Sequence, residues 1–493
     1  MMLLGAIHYC WVKSKTWGNQ GMRHSRLSVC LSVSPMIVRL AVFALWLFAA
    51  PQAAWARSDS VKISESWREA IGSKSGTPVV ANDIVLLGTN NRVPRLREMK
   101  GDHGVMMAFR LDTGAFLGQV THEQLGHRSN DLNGSVLCRP RIDGNRAFYV
   151  SNRGEMVSLD LTAFNPKAMK QKVAWSLDFV GKLGVFKRDA SDIRNPLSSP
   201  VVIGDLVYAV TGNGAAFGYA RTALAKESPF VPKPEAPSFI AVDKKTGKLA
   251  WSSSAPGKDI QYGQWGSPAH AKVGETDQVL FPGGDGRLYG FEAKTGKLIW
   301  KVDCNPATAT RWDGGNLGTR TSFMAAPVMG DGVAFIGTAI DLERTDVPRP
   351  LYAVEVTHKG DATKRAILWT YYDDDFGGTF GNVALGKGTL YALGGSGQFV
   401  CLNPKTGKVL WRRDLGANAK WFGSAVVHSG MVFVAAGHNL FVFEDGLKMR
   451  LLGKHRMDDE ITGNPAVSHG RILVATRKHL HCLALSLSDL RSR

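Results

Sequence analysis

The string AVDKKTGKLAW at residues 241–251 returns as GFEAKTGKLIW at 290–300 and as CLNPKTGKVLW at 401–411. Each copy opens on a small residue and places an acid or Asn two positions on. Thr-Gly sits in the middle and Trp closes the segment. A motif returning at intervals of several tens of residues marks an array of units, none of which can bury its hydrophobic face alone. That constrains the fold more tightly than any compositional figure.

Each copy reads as strand, turn, strand. The runs at 239–242, 288–291 and 399–402 are apolar and bounded by turn residues. The pairs Thr246-Gly247, Thr295-Gly296 and Thr406-Gly407 fit a type I turn with Gly in the left-handed position. Upstream lies a second hairpin, clearest in PVVIGDLVY at 200–208. The unit is therefore four antiparallel strands, A to D, spanning roughly 40–50 residues, which suits one propeller blade. The Trp ends the outermost strand, where a large ring can bury ~150–250 Å² against the neighbouring blade. The small residue ten positions earlier (Ala241, Gly290, Cys401) is expected to leave room for it.

Blade 1 runs from Thr77-Pro78 to Gly118, which occupies the Trp slot. Blade 2 runs from Arg139-Pro140 to Trp175, and blade 3 from Ser199-Pro200 to Trp251 with an insertion around 215–237. Blade 4 spans Ser267-Pro268 to Trp300, and blade 5 Ala326-Pro327 to Trp369 with a longer turn at 341–350. Blade 6 runs from Asn382 to Trp411. Blade 7, Ser424 to about Leu452, lacks the Trp, and blade 8, Asn464-Pro465 to Leu485, stops after three strands. VKISESW at 61–67 has strand alternation and a terminal Trp but no hairpin before it. It supplies the missing strand and closes the ring, removing two free edges. The expected fold is an all-β, eight-bladed propeller, with seven blades as the alternative if blade 2 or 7 is irregular. Trp67, Trp175, Trp251, Trp300, Trp369 and Trp411 are the expected blade-docking residues.

The pattern is similar to the tryptophan-docking motif of the pyrroloquinoline quinone (PQQ) dehydrogenases and their non-enzymatic, BamB-like relatives. The resemblance covers about 61–485. It implies a propeller whose enzymatic members hold the quinone between a Trp and a vicinal Cys-Cys disulfide, with calcium bound by Glu, Asn and Asp. This sequence has no adjacent cysteines and no CxxCH for haem. Nor does a lipoprotein cysteine follow its apolar leader.

Residues 1–56 read as a leader preceding the propeller at 57–493. Residues 40–50 are an unbroken apolar run, Arg39 lies before it, and Ala54-Trp55-Ala56 reads as a cleavage site. The run is short for a membrane span of ~20 residues. The stretch 1–35 is unlike an n-region of ordinary length, so Met22 or Met36 is the expected start. Export to the periplasm or beyond follows, with membrane anchoring if the leader is retained. The leader carries five of the 60 basic residues and none of the 42 acidic ones, so the remainder has a formal charge of +13. Those charges are scattered, without basic runs, and nucleic acid is not an expected partner. Cys138, Cys304, Cys401 and Cys482 are expected as separate buried thiols.

Loops entering strand A line the mouth of a propeller's channel, where side chains of all blades converge. The candidates there are Arg194 and Asn195 before blade 3, Gln264 and Trp265 before blade 4, and Arg311, Trp312 and Arg320 before blade 5. Trp421 before blade 7 and Asn464 in blade 8 complete the set. Together they can hold an anionic or aromatic ligand, or pair with one another and with loop carbonyls. Asp373-Asp374-Asp375 offers oxygen ligands for calcium or a solvated loop. Gly283-Gly284-Asp285-Gly286 precedes no helix, so it reads as a hairpin turn and not a phosphate loop. His479 and His481 share one strand face but lack a third ligand in the sequence, and read as surface. The functional expectation is a monomeric binding or scaffolding module, for a protein partner or a small ligand, with no cofactor. A PQQ- and calcium-dependent alcohol or sugar dehydrogenase and a glycan-binding propeller are the other readings.

Overall fold

The computed structural model describes residues 61–96, 103–123, 134–164, 171, 173–186, 198–214, 231–261, 263–311, 318–339, 347–416 and 423–487. The expectations for the leader fall outside these residues. In the unit that begins at Asp59, eight sheets are each built on four antiparallel strands in the order A-B-C-D, those of blades 4 and 5 carrying a fifth short strand, and the A strands of successive blades adjoin. The last sheet is completed from the other end of the chain. Val61–Ala70 pairs antiparallel with His479–Leu487, so the ring closes as the sequence predicts, with eight blades and not seven.

Blade 3 illustrates why these residues form these strands. Its strands are Val201–Ile203, Leu206–Val210, Phe239–Asp243 and Leu249–Ser253. The Asp of the motif holds the C–D turn. Its Oδ1 accepts from the amides of Lys245 (3.1 Å) and Thr246 (2.8 Å) and from the Thr246 hydroxyl (2.8 Å), a side-chain cap that only Asp or Asn is short enough to make. Asn403 does the same in blade 6. Gly247 takes φ 73°, the left-handed position the turn demands. The backbone then slips register, so that Ala241 faces Trp251 and Val242 faces Leu249.

The Trp rings dock on the turn of the following blade. The indole N–H of Trp251 donates to the Ala293 carbonyl (2.8 Å), and its ring lies where a Cβ on Gly296 would sit, at 2.5 Å. Trp67, Trp175 and Trp369 repeat this on Leu111 and Gly114, Lys244 and Gly247, and Pro404 and Gly407. Trp411 donates to the Gly446 carbonyl. The glycine of Thr-Gly therefore serves two ends, backbone conformation and room for the preceding blade's ring.

Trp300 departs from this expectation. It is fully buried, and its indole N–H donates to Gln278 Oε1 (2.8 Å) on its own sheet. Its ring lies where a Gly290 Cβ would be, at 2.2 Å, so the room left by a small residue ten positions earlier is used here. The cause is in blade 5, which has no Thr-Gly turn. Its longer C–D connection sends Gly360–Asp361 across to pair in parallel with blade 4, opposite Trp300 and Lys301. Val356, Ala362 and Ala366 of that connection pack in the same core as Trp300.

Two blades without the Trp fill its slot otherwise. A Cβ on Gly118 would meet the Gln171 amide at 2.2 Å. In blade 7 the slot is Gly453, and Val61 and Ile63 of the closing strand lie against it. Between blades, aromatic rings carry the core. Phe239 stacks on Phe281 at 4.5 Å across blades 3 and 4, and Phe399 meets Phe443 at 5.4 Å across blades 6 and 7. Among the described residues no helix is long and apolar enough to cross a membrane.

Candidate functional site

Of the channel-mouth candidates, Arg194, Asn195, Trp312 and Trp421 lie outside the described residues. Asn464 belongs to a circular device at the start of the A strands. Its Oδ1 accepts from the Ser424 amide (2.8 Å), and its own amide donates to Thr77 Oγ1 (3.4 Å). Arg139 donates likewise to Ser199, Ser199 to Ser267, Ala326 to Asn382 and Asn382 to Ser424. Among the described residues blades 1, 3, 4, 6, 7 and 8 each offer a side-chain oxygen to an amide of the preceding blade, which ties A strands together around the channel and leaves Asn464 structurally occupied.

Arg311 and Arg320 come together at the mouth of blades 4 and 5, with residues that the sequence did not single out for a site. Strand C of blade 4, Arg287–Glu292, begins just after the Gly-Gly-Asp-Gly hairpin. Asp285, Arg287 and Tyr289 follow at spacing two, so their side chains share a face. Arg287 Nη1 donates to Asp285 Oδ2 (2.8 Å) and Asp259 Oδ2 (3.2 Å), while its Nε lies 3.3 Å from Asp303 Oδ2. The Tyr289 hydroxyl donates to Asp285 Oδ2 (2.7 Å). Arg320 grips Asp303 at 2.7 and 2.9 Å and the Asp285 carbonyl at 3.1 Å. Arg311 donates to Asp259 Oδ1 (2.6 Å) and the Lys258 carbonyl (2.9 Å). Three guanidinium groups meet three carboxylates, so these arginines pair internally and the network carries no net charge.

Burial pushes the Asp285 carboxyl upward, and the Tyr289 hydroxyl and Arg287 guanidinium and amide pull it back. Burial also works against ionised Asp259, yet Arg311 and Arg287 hold it below the ordinary value. A depressed carboxyl stabilises the fold above its unfolded pKa of ~3.9 and loses that contribution as pH falls through its lower folded value. Acidification below about pH 4 is therefore expected to loosen this mouth. A red shift of Trp265 emission, absent in Trp265→Phe, is the measurement that checks it.

Gln264 and Trp265 sit beside the network. Gln264 Oε1 accepts from the Gly284 amide (3.3 Å), while its Nε2 is buried without an acceptor among the described residues. Trp265 folds over Gly263, and its buried indole N–H also has none. A buried unmet donor costs ~1–3 kcal/mol, and native structures meet such groups with a ligand or ordered water.

The acidic triplet does not converge. Asp373 caps the Asp375 amide and pairs with Arg412 (3.1 Å), and Asp374 accepts from the Tyr372 hydroxyl (2.8 Å). The cysteines are separate, free and buried, and burial pushes the Cys138 and Cys401 thiols up to about 12. The quinone sandwich that the resemblance implies uses adjacent cysteines as one wall in many members, though not in all, and a free carboxylate for calcium. The described mouth offers neither, since its carboxylates are held by arginine.

Eight radial sheets with indoles docked on the following turn define a β-propeller of the tryptophan-docked class. The family described as outer membrane protein assembly factor BamB matches residues 225–340 and 355–451. Over those residues the chain is similar to the PQQ-like propellers, and its eight-bladed architecture agrees with that likeness. The crystal structure of BamB from Moraxella catarrhalis aligns with a TM-score of 0.55 and 12% identity, covering 87% of this chain and 99% of that one. The tetrathionate hydrolase of Acidithiobacillus ferrooxidans is 21% identical over 328 residues, 57% of this chain and 60% of that protein. The dehydrogenase subunit of a quinone alcohol dehydrogenase from Gluconacetobacter polyoxogenes is 36% identical over 101 residues, 20% of this chain. The chain thus spans 60% of the first relative's length and 13% of the second's.

Proposed function

We propose that the chain is an exported binding and scaffolding module whose ligand or partner loop seats at the channel mouth beside Gln264 and Trp265. The observation that carries the reading is the pair of buried donors, Gln264 Nε2 and Trp265 Nε1, which have no acceptor among the described residues. Because the neighbouring arginines and aspartates balance, the fitting chemistry is an uncharged group rich in acceptor oxygens, such as a sugar or a peptide carbonyl. Export follows from the leader, and the BamB-like architecture is consistent with it. A PQQ-dependent dehydrogenase is the second reading, favoured by the 36% identity to a quinone alcohol dehydrogenase subunit.

The test follows tryptophan fluorescence while neutral oligosaccharides and extended peptides are added separately. Saturable quenching that disappears in Gln264→Leu supports the binding reading, and no response to either class overturns it. A parallel arm adds PQQ with calcium. Quinone absorbance together with dye-linked alcohol oxidation would replace the first reading by the second.

A further inference from the structure

Of the two histidines that read as surface, His481 is buried and His479 is partly exposed. His481 is 2% exposed, and with His479 it faces Asp458 from the connection between blades 7 and 8. His479 Nδ1 lies 2.7 Å from Asp458 Oδ2 and His481 Nε2 lies 3.0 Å from Asp458 Oδ1. One ligand atom from each falls within 4.8 Å of the others. Residues two apart on a strand share a face, which is why the single strand His479–Leu487 presents both rings together.

We propose that Asp458, His479 and His481 bind a divalent transition cation of the zinc class, clasping the joint of blades 7 and 8 to the closing N-terminal strand. Two imidazoles and one carboxylate are the donor set such a cation takes, with water in the fourth position. Calcium and magnesium prefer all-oxygen sites, so nitrogen donors select against them. At metal–ligand distances of ~2.0–2.2 Å, tetrahedral ligands stand roughly 3.3 Å apart. The two His–Asp separations, 2.7 and 3.0 Å, lie a few tenths of an ångström below that spacing, and all three ligand atoms lie within 4.8 Å of one another, so small side-chain shifts would admit the ion.

The surrounding groups fit the same reading. Glu65 Oε2 lies 2.6 Å from His481 Nδ1. A carboxylate on the far ring nitrogen holds the proton there and leaves Nε2 free to ligate, as metal-bound histidines require. Thr476 Oγ1 lies 3.5 Å from Asp458 Oδ1. Arg68, 3.9 Å from Asp458, is half exposed and free to swing aside. Side-chain exposures of 26% for His479 and 28% for Asp458 provide the entry path. Glu65 belongs to the first described strand and His481 to the last, so an ion here would act on ring closure.

The test uses the full chain, stripped with chelator and dialysed, then titrated with zinc in a calorimeter and with cobalt by visible absorption. One equivalent per chain is expected, with tetrahedral cobalt bands and a melting temperature raised by a few degrees. His479→Ala and Asp458→Asn should each weaken binding at least ~100-fold, and Glu65→Gln ~10–100-fold. His270→Ala, at a surface His–Asp pair elsewhere, should change nothing. His479 is partly exposed, so its variant should melt like the parent in chelator, which separates lost ligation from lost folding. No stoichiometric binding, or binding indifferent to His479→Ala and Asp458→Asn, would overturn the proposal.

Discussion

A chain that begins at Ile71 is expected not to fold at growth temperature. Val61–Ala70 provides the D strand of blade 8, in register with nine residues of His479–Leu487. Without it that strand becomes a free edge, the template for pairing with other molecules. Val61 and Ile63 also leave a core shared with Phe433, Leu440 and Leu483. Trp67 leaves its seat on blade 1. Burying the two aliphatic side chains is worth up to ~1.5–3 kcal/mol each, and the half-buried Trp67 ring adds ~1–3 kcal/mol of apolar contact. The loss approaches the ~5–15 kcal/mol total stability of a typical domain. Soluble yield and thermal melting of the shortened chain measure it, and a peptide of sequence VKISESWREA added in trans should restore part of the loss. A shortened chain melting like the parent would mean that the ring does not depend on this closure.

The closure was readable because two facts about the sequence interlock. Blade 8 ends after Leu485 with three strands, and residues 61–67 are a strand with a docking Trp and no hairpin. Strand alternation is a local property, as are the Thr-Gly turns of blades 1, 3, 4 and 6, so the blades could be counted from the two together. The inward turn of Trp300 was not readable from its own motif, which matches those of Trp251 and Trp411. Its cause lies some 60 residues away, in the C–D connection of blade 5. Only the missing Thr-Gly turn there could have given warning. The glycine slots of blades 1 and 7 were visible as lost tryptophans, but Gln171, Val61 and Ile63 fill them through packing that no local pattern encodes.

Site residues were harder for the same reason. Arg311 and Arg320 were placed at the mouth by position in the blade, and the structure brings them together. Their carboxylate partners, Asp259 and Asp303, come from a short 3-10 turn and a strand end distant in sequence, so the neutrality of the network depends on tertiary placement. Asp285 was hidden inside a glycine-rich turn, although Asp285, Arg287 and Tyr289 alternate on one face and could have flagged it. His479 and His481 were seen to share a face. Their third partner, Asp458, lies on the preceding interblade connection, where spacing rules do not reach.

Replacing Trp300 by Ala should cost far more stability than the same change at Trp251, although the two motifs are nearly identical. The Trp251 ring is only half-buried, and it leaves behind a turn whose remaining bonds are intact, so ~1–3 kcal/mol is expected from lost apolar contact. Trp300 is fully enclosed among Leu288, Val302, Tyr352, Val356 and Ala366. Removing it opens a cavity, worth ~3–5 kcal/mol. It also removes the indole N–H that donates to buried Gln278 Oε1, adding ~1–3 kcal/mol. Trp300→Phe should recover the cavity portion and leave the hydrogen-bond portion, falling between the parent and the alanine variant. Denaturant midpoints for the three variants, measured with the parent's slope, test this ordering. Equal costs at 251 and 300 would mean that Trp300 docks on the following blade like its counterparts. The parallel strand at Gly360–Asp361 would then not lie across it.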